Sequence, residues 1–428
     1  MKICDRSILK RQNVWDEDRH LPAVAEILAA VRAEGDAALK AFTARFDGVT
    51  LDCFPVDEAA FATARAQVTP EVLASLALAA ERLRAFHELQ PLPSWTTDKL
   101  GGALGQRFTP LRRVGCYVPS GTAPLPSTVL HTVIPAQAAG VKEIIITTPP
   151  NPAYAATEFI NPVILAAAHL AGATQVLRLG GAQAIAALAF GTESILPVDK
   201  IVGPGNVYVT LAKKLVFGAV GIDGLAGPTE TVIIADEFAN PRWVAADLLA
   251  QAEHDVLASA ILLTPSEQLA YAVQSLIPTF LERLPRAEII RQTFERNSGI
   301  VLTRDIAEAC ELANEYAPEH LCLAVREPQV WAERIHSAGG IFMGENSFEV
   351  LGDYVAGPSH VMPTGGSARF ASPLSALDFV RLTSLVALDN TTTHTIAPHA
   401  ARLAYAESLG AHALAAELRE AYNVRRET

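Results

Sequence analysis

The chain has 428 residues, of which 34 are Lys or Arg and 46 Asp or Glu; the net charge is −12 with both signs interspersed. That balance excludes a nucleic-acid groove and an anionic membrane surface as partners. Half of the residues are hydrophobic, enough for large cores, and the length corresponds to about three ordinary domains.

The five cysteines, Cys4, Cys53, Cys116, Cys310 and Cys322, show no C-x-x-C spacing. This suits a reducing cytoplasm and argues against a disulfide framework or a thiolate zinc site. The opening MKICDRSILKRQ has no apolar signal core, and no apolar run reaches the length of a membrane span, so a cytoplasmic location is expected.

Residues 1–20 are polar and read as an arm. Leu21 to Phe46 has helical spacing with a break at Gly35-Asp36, and a second helical region runs from Pro70 to Leu89. From 114 to 220 strands alternate with helices: VGCYVP, Glu143–Thr148, Gln175–Leu179 and Ile201-Val202 as strands, Val163–Leu170 and Gln183–Phe190 as helices. That alternation predicts a parallel sheet of Rossmann type, which binds ligands beyond the carboxyl ends of its strands. Glycine turns stand at such ends, at Pro119-Ser120-Gly121, Gly180-Gly181-Ala182-Gln183 and Gly203-Pro204-Gly205-Asn206. None is the G-x-G-x-x-G fingerprint. Cys116 invites a thiohemiacetal mechanism, but a small apolar strand residue fits it better.

Leu225 to Asp255 concentrates the chemistry. Gly227-Pro228 leads to Thr229-Glu230 and a β-rich run, Thr231 to Ala235. Asn240-Pro241 is a favoured cap for a helix over Arg242 to His254. Gln251 and His254 are three apart, hence on one helical face. Ser266 to Arg296 is largely helical, Gly299 to Leu302 a strand, and Asp305 to Tyr316 helical again. Glu319 and His320 can share a pocket if both lie in the turn made by Pro318, before a strand over Leu321 to Val325. Gly352 to His360 reads as a long loop, an unusual choice unless it carries function. Its Asp353 and His360 are donors of the kind that bind zinc. In the tail, Glu407 and His412 are five apart and converge only if Gly410 breaks the helix.

These stretches resemble the histidinol dehydrogenases. Ala226-Gly227-Pro228-Thr229-Glu230 and Gln251-Ala252-Glu253-His254 are similar to the family's turn and helix end, LGDYVAGPSHVMPTGGSARF to its loop, and VRAEGDAALKAFTARFDG to its amino-terminal region. The resemblance covers nearly the whole chain. It implies an α/β fold of two incomplete Rossmann-like domains, parallel sheets flanked by helices, with small amino- and carboxyl-terminal tail segments. The expected divisions are 1–20 as arm, 21–113 with 231–371 as the metal and catalytic domain, 114–230 as the NAD domain and 372–428 as the tail.

It further implies oxidation of L-histidinol to L-histidine with two NAD molecules, one Zn2+ per subunit, and a homodimer whose active site is shared between subunits. By resemblance the zinc ligands are Gln251, His254, Asp353 and His412. The catalytic pair is Glu319 and His320. Thr229, His360 and Glu407 contact substrate together with the zinc ligands and His320, and Tyr117, Gln183 and Asn206 contact NAD. Thr229 stands where many members have Ser. Rival expectations are a related NAD-dependent dehydrogenase of another diol or amino alcohol, a zinc hydrolase, and a non-catalytic metal-binding scaffold.

Overall fold

The structure is a computed structural model describing residues 1–11, 17–120 and 124–424. Gly121 of the first glycine turn and residues 12–16 of the expected arm lie outside the described residues. In chain order the amino-terminal part comprises β1 (Ile3–Cys4), α1 (Glu17–Glu34), α2 (Asp36–Asp47), α3 (Glu58–Gln67) and α4 (Pro70–Glu88). The break between α1 and α2 falls at Gly35, whose φ of 55° suits a residue without a Cβ. α4 opens on Thr69, whose hydroxyl caps Val72 N–H, with Pro70 at the first helical position.

Two strands, β2 (Trp95–Thr97) and β3 (Ala103–Pro110), precede an alternating run. That run is β4 (Arg113–Tyr117), α5 (Pro126–Ala138), β5 (Glu143–Thr148), α6 (Pro162–Ala171), β6 (Gln175–Arg178), α7 (Gly181–Phe190), β7 (Lys200–Val202), α8 (Val207–Val216) and β8 (Gly221–Ile222). A second run follows: β9 (Glu230–Ala235), α9 (Pro241–Ala252), β10 (Ser259–Thr264), α10 (Glu267–Leu281), α11 (Ala287–Arg296), β11 (Gly299–Leu302), α12 (Ile306–Tyr316), β12 (His320–Ala324), α13 (Pro328–Ala332), β13 (Gly340–Met343) and α14 (Glu349–Tyr354). The chain closes with β14 (Val380–Ala387), α15 (Asn390–Ala406) and α16 (Gly410–Val424).

Both alternating runs form all-parallel sheets, as the sequence pattern predicts. The order is β6-β5-β4-β7-β8 in the first and β1-β11-β10-β9-β12-β13 in the second. The segment read as an arm thus contributes an edge strand, with Ile3 opposite Ile300. Strand residues of the six-stranded sheet alternate between two buried layers. Ile233, Leu262 and Ile300 pack on one face, and Val232, Ile234, Ile261 and Val301 on the other. Each sheet reverses its winding once, between β4 and β7 in the first and between β9 and β12 in the second.

Contacts divide the chain into two units. Met1–Gln90 with Leu111–Phe379 form the first, holding both parallel sheets; Pro91–Pro110 with Val380–Thr428 form the second. The second unit contains a three-stranded antiparallel sheet, β14-β3-β2, and the helix pair α15–α16. The sequence reading found only helix there. No helix among the described residues is long and apolar enough to cross a membrane.

Candidate active site

The six-stranded sheet delivers its functional groups at the amino ends of its strands. Following β9 in a parallel unit, α9 runs back along it, so the last turn of α9 returns beside the start of the strand. There the fully buried Gln251 donates its Nε2–H to Thr229 Oγ1 at 2.9 Å. Thr229 passes its own proton toward Glu319 Oε2 at 2.5 Å, and Glu230 N–H donates to the same oxygen at 3.2 Å. Gln251 Oε1 is left buried with no hydrogen-bond partner.

The helix expected to carry both Gln251 and His254 stops at Ala252. Asp255 ends it: its carboxylate accepts Leu257 N–H at 2.9 Å and its carbonyl accepts Ala258 N–H at 3.0 Å, folding the chain into a turn. His254 therefore stands on that turn, exposed on one side. Crowding of its ring by neighbours still makes loss of water the leading reason that its pKa is lowered.

At the next strand, α12 ends on Ala317, whose φ of 48° lies in the left-handed region, and Pro318 prevents continuation. Arg11 supports this strained turn by donating to Ala317 O at 3.2 Å, while its guanidinium grips Glu230 in a fork at 2.7 and 2.8 Å. It also lies 3.9 Å over the Tyr316 ring. The strand begins at His320 rather than after it, so only Glu319 sits in the turn. The two side chains nevertheless share one pocket, with His320 Nδ1 3.6 Å from Glu319 Oε2. Strand alternation does not constrain a residue that has not yet entered the strand.

His320 is encircled by carboxylates. Glu349 Oε1 stands 3.7 Å from Nδ1, Asp353 Oδ1 3.6 Å from Nε2, and Glu230 O 3.4 Å from Nδ1. Burial opposes charge on the ring, but Glu349, Glu319 and Asp353 outweigh it and hold the pKa well above its ordinary value. Burial pushes Glu319 up to about 7 and Glu349 up to about 8, with His320 opposing in both cases. For Asp353 burial pulls upward, and His320 more than cancels it, leaving the pKa low. Glu349 was not singled out from the sequence. Its position four residues before Asp353 places both on one face of a helix, which was the available signal. The reading of Gly352 to His360 as wholly loop hid it, because α14 runs through Tyr354.

His360 follows in the loop proper and donates Nδ1–H to Asp353 O at 2.8 Å. Burial lowers its pKa. Glu407 and His412 lie in the second unit, both exposed, where Glu407 caps α15 and His412 is in the first turn of α16. The helix break between them falls at Ser408, with φ 61°, and α16 restarts at Gly410. Among the described residues no three His, Cys, Asp or Glu side chains converge as a metal cluster. The first unit supplies two such residues of the implied set, His254 and Asp353, together with the amide of Gln251.

The five-stranded sheet presents its carboxyl ends. Tyr117, the last residue of β4, is buried and accepts Gly181 N–H on its hydroxyl at 3.1 Å. A Cβ on Gly203 would lie 2.3 Å from Tyr117 O, so the turn after β7 requires glycine. Lys213 and Asp223 form a buried ion pair and anchor that turn, Lys213 Nζ donating to Gly203 O at 3.0 Å and Gly203 N–H to Asp223 Oδ2 at 2.7 Å. Asn206 caps α8 through Oδ1, leaving its amide NH2 for other partners. Gln183 is buried in the first turn of α7. Cys116 is fully buried with its thiol pushed up to about 12 by burial, an inert strand residue.

Fold and site together define an α/β enzyme with a buried glutamate–histidine pair. The chain belongs to the histidinol dehydrogenase family, whose sequence profile matches residues 10–420. It is 48% identical over 415 residues to the histidinol dehydrogenase of Aquifex aeolicus (strain VF5), covering 96% of this chain and 95% of that protein. To the enzyme of the same name from Geobacillus kaustophilus (strain HTA426) it is 50% identical, covering 93% of each. The crystal structure of histidinol dehydrogenase from Elizabethkingia anophelis superposes with a TM-score of 0.91 at 37% identity, covering 97% of this chain and 95% of that one.

Proposed function

We propose that this chain catalyses the zinc-dependent, NAD-linked four-electron oxidation of L-histidinol to L-histidine through a bound aldehyde, the closing steps of histidine biosynthesis, as a cytoplasmic homodimer. The observation that carries this reading is the hydrogen-bonded chain from Gln251 through Thr229 to Glu319. It ties an implied metal ligand, a substrate contact and a catalytic carboxylate into one buried unit.

The donor set fits zinc. Gln251 Oε1 is buried and lacks a donor, because the orientation of the amide is fixed by Thr229. Asp353 is held toward its ionised form, and partial loss of water around the His254 ring favours the neutral imidazole that ligates. Gln251, His254 and Asp353 would hold the ion with His412 of a second copy. When bound, zinc supplies a redox-inert positive charge that orients the amino alcohol, and NAD supplies the hydride acceptor.

The chain's own groups do the proton work. His320 is assigned the proton of the substrate hydroxyl; the surrounding carboxylates hold its pKa well above the ordinary value, so the ring serves as a base only once it has released its own proton. Glu319, poised at about 7, takes a proton from the water that hydrates the aldehyde. Thr229 keeps one lone pair available for substrate beside its two buried partners. His360 and Glu407 complete the substrate contacts, Glu407 coming with His412 from the second copy. Tyr117, Gln183 and Asn206 contact NAD at the point where the five-stranded sheet reverses its winding.

The second unit supports pairing between copies. Its helical core is Ala401, Ala404 and Ala413, whereas Leu403, Leu414 and Leu418 are 66%, 53% and 61% exposed. Helices with so small a core need a partner surface.

The deciding assay counts NADH formed per histidinol consumed in the presence of zinc. About two is expected for a four-electron oxidation; one, or none as for a hydrolase, overturns the reading. Mixing inactive His320→Ala with inactive His412→Ala subunits restores partial activity if the site is shared. No recovery after verified subunit exchange removes that part.

A further inference from the structure

We propose that His131 is a positioning residue for substrate recognition, fixing the place and plane of the His360 ring, whose Nε2 the Asp353 carbonyl leaves as a hydrogen-bond acceptor. The inference rests on the reading of His360 as a substrate contact and extends it to a residue one helix away.

The device begins in α5. In an α-helix the carbonyl of His131 would accept the N–H of residue 135, but that residue is Pro135, which has none. The orphaned carbonyl is taken by a hydroxyl from the opposite half of the unit, Ser359 Oγ, at 2.9 Å. Next along that loop, His360 N–H donates to His131 Nδ1 at 3.0 Å. Main chain and ring of one helical residue thus clamp two consecutive loop residues.

With the loop pinned, the two imidazoles lie face to face, centroids 4.0 Å apart and planes 11° from parallel. Aromatic rings left to themselves prefer offset or edge contacts, so this arrangement reflects the clamp and not ring attraction. Because His131 Nδ1 accepts a backbone N–H, it cannot carry a proton, and the ring is neutral with its hydrogen on Nε2. His131 is wholly buried. On the other ring, Nδ1 faces the carbonyl of Asp353 at 2.8 Å and must be the donor. Nε2 of His360 is therefore the lone-pair nitrogen, with the Thr128 hydroxyl 3.4 Å away. A neutral acceptor in a fixed plane suits an N–H or ammonium group of an amino alcohol.

The test uses the full-length enzyme and separate KM values for histidinol and NAD. His131→Ala removes ring and acceptor; His131→Phe keeps a flat ring and removes only the acceptor; Ser359→Ala frees the carbonyl. The histidinol KM is expected to rise about tenfold in His131→Ala and less in the other two, with the NAD KM within about twofold of the parent. A merely structural role would lower the active fraction, and with it kcat, leaving both KM values in place. An unchanged histidinol KM in His131→Ala, while His360→Asn raises it, overturns the proposal. If His360→Asn also leaves it unchanged, the substrate role assigned to His360 fails and this inference falls with it. Should His131→Ala not fold, His131→Phe decides by the same comparison.

Discussion

The two parallel sheets offer opposite ends to their functional residues. The five-stranded sheet uses carboxyl ends: Tyr117 closes β4, and the turns at Gly181 and Gly203 follow β6 and β7. Such ends open onto helix amino termini, here those of α7 and α8, whose positive dipole ends suit phosphates. The six-stranded sheet uses amino ends: Glu230 opens β9 and His320 opens β12. Those ends meet helix carboxyl termini, where α9 brings Gln251 and α12 leads into Glu319, and the dipole there favours cations. Under the proposed function, the two sheets thus divide the labour, one end suiting an anionic cofactor and the other a cationic centre.

The sharpest way to break this comparison is to remove the acid–base pair. His320→Ala and Glu319→Gln are each expected to lower turnover by about 10²–10⁴ while substrate binding measured by calorimetry persists. Gln251→Leu comes next. It should weaken zinc retention by about 10–100-fold in metal analysis after dialysis and leave NAD binding in place.

Third is the pH profile of the aldehyde-to-acid half-reaction, followed with histidinal. A buried carboxyl raised to about 7 holds its proton below that pH and works as a base above it. The rate should climb as pH rises through about 7, and Glu319→Gln should lose that inflection. Stability carries the opposite sign. The cost of burying the Glu319 charge is absent below its ordinary value of 4.5 and complete above about 7. Thermal melts should show Glu319→Gln gaining on the parent as pH rises across that window.

On the five-stranded side, Tyr117→Phe removes the acceptor for Gly181 N–H and is expected to raise the NAD KM by about three- to tenfold, leaving that for histidinol unchanged. The smallest effect belongs to Cys116→Ala. Its kcat/KM should stay within about twofold, because a buried thiol at about 12 has no thiolate to offer.

Much of this arrangement is legible in the sequence because local signals agree with the fold. Asn240 and Pro241 announce α9, Gly35 separates α1 from α2, and the apolar runs Glu143–Thr148 and Gly299–Leu302 are strands to the residue. The losses have two causes, partners remote in sequence and, for His254, a local turn. β3, with Gln106 and Arg107 in succession, lacks a clean alternation and becomes a strand through β14, some 270 residues later, with Leu104 opposite Val386. His254 left its helix because Asp255 offered a competing turn. The segment around His131 draws no reading from the sequence; Ser359 and His360, remote in the chain, give it a role.

The fork between Arg11 and Glu230 reaches further than its position suggests. Glu230 lends its amide to Glu319 and its carbonyl to His320, so the arm near the amino terminus buttresses the wall behind the reaction. A change at Arg11 is thereby expected to be felt two contacts away, at the Glu319 carboxylate and the His320 ring.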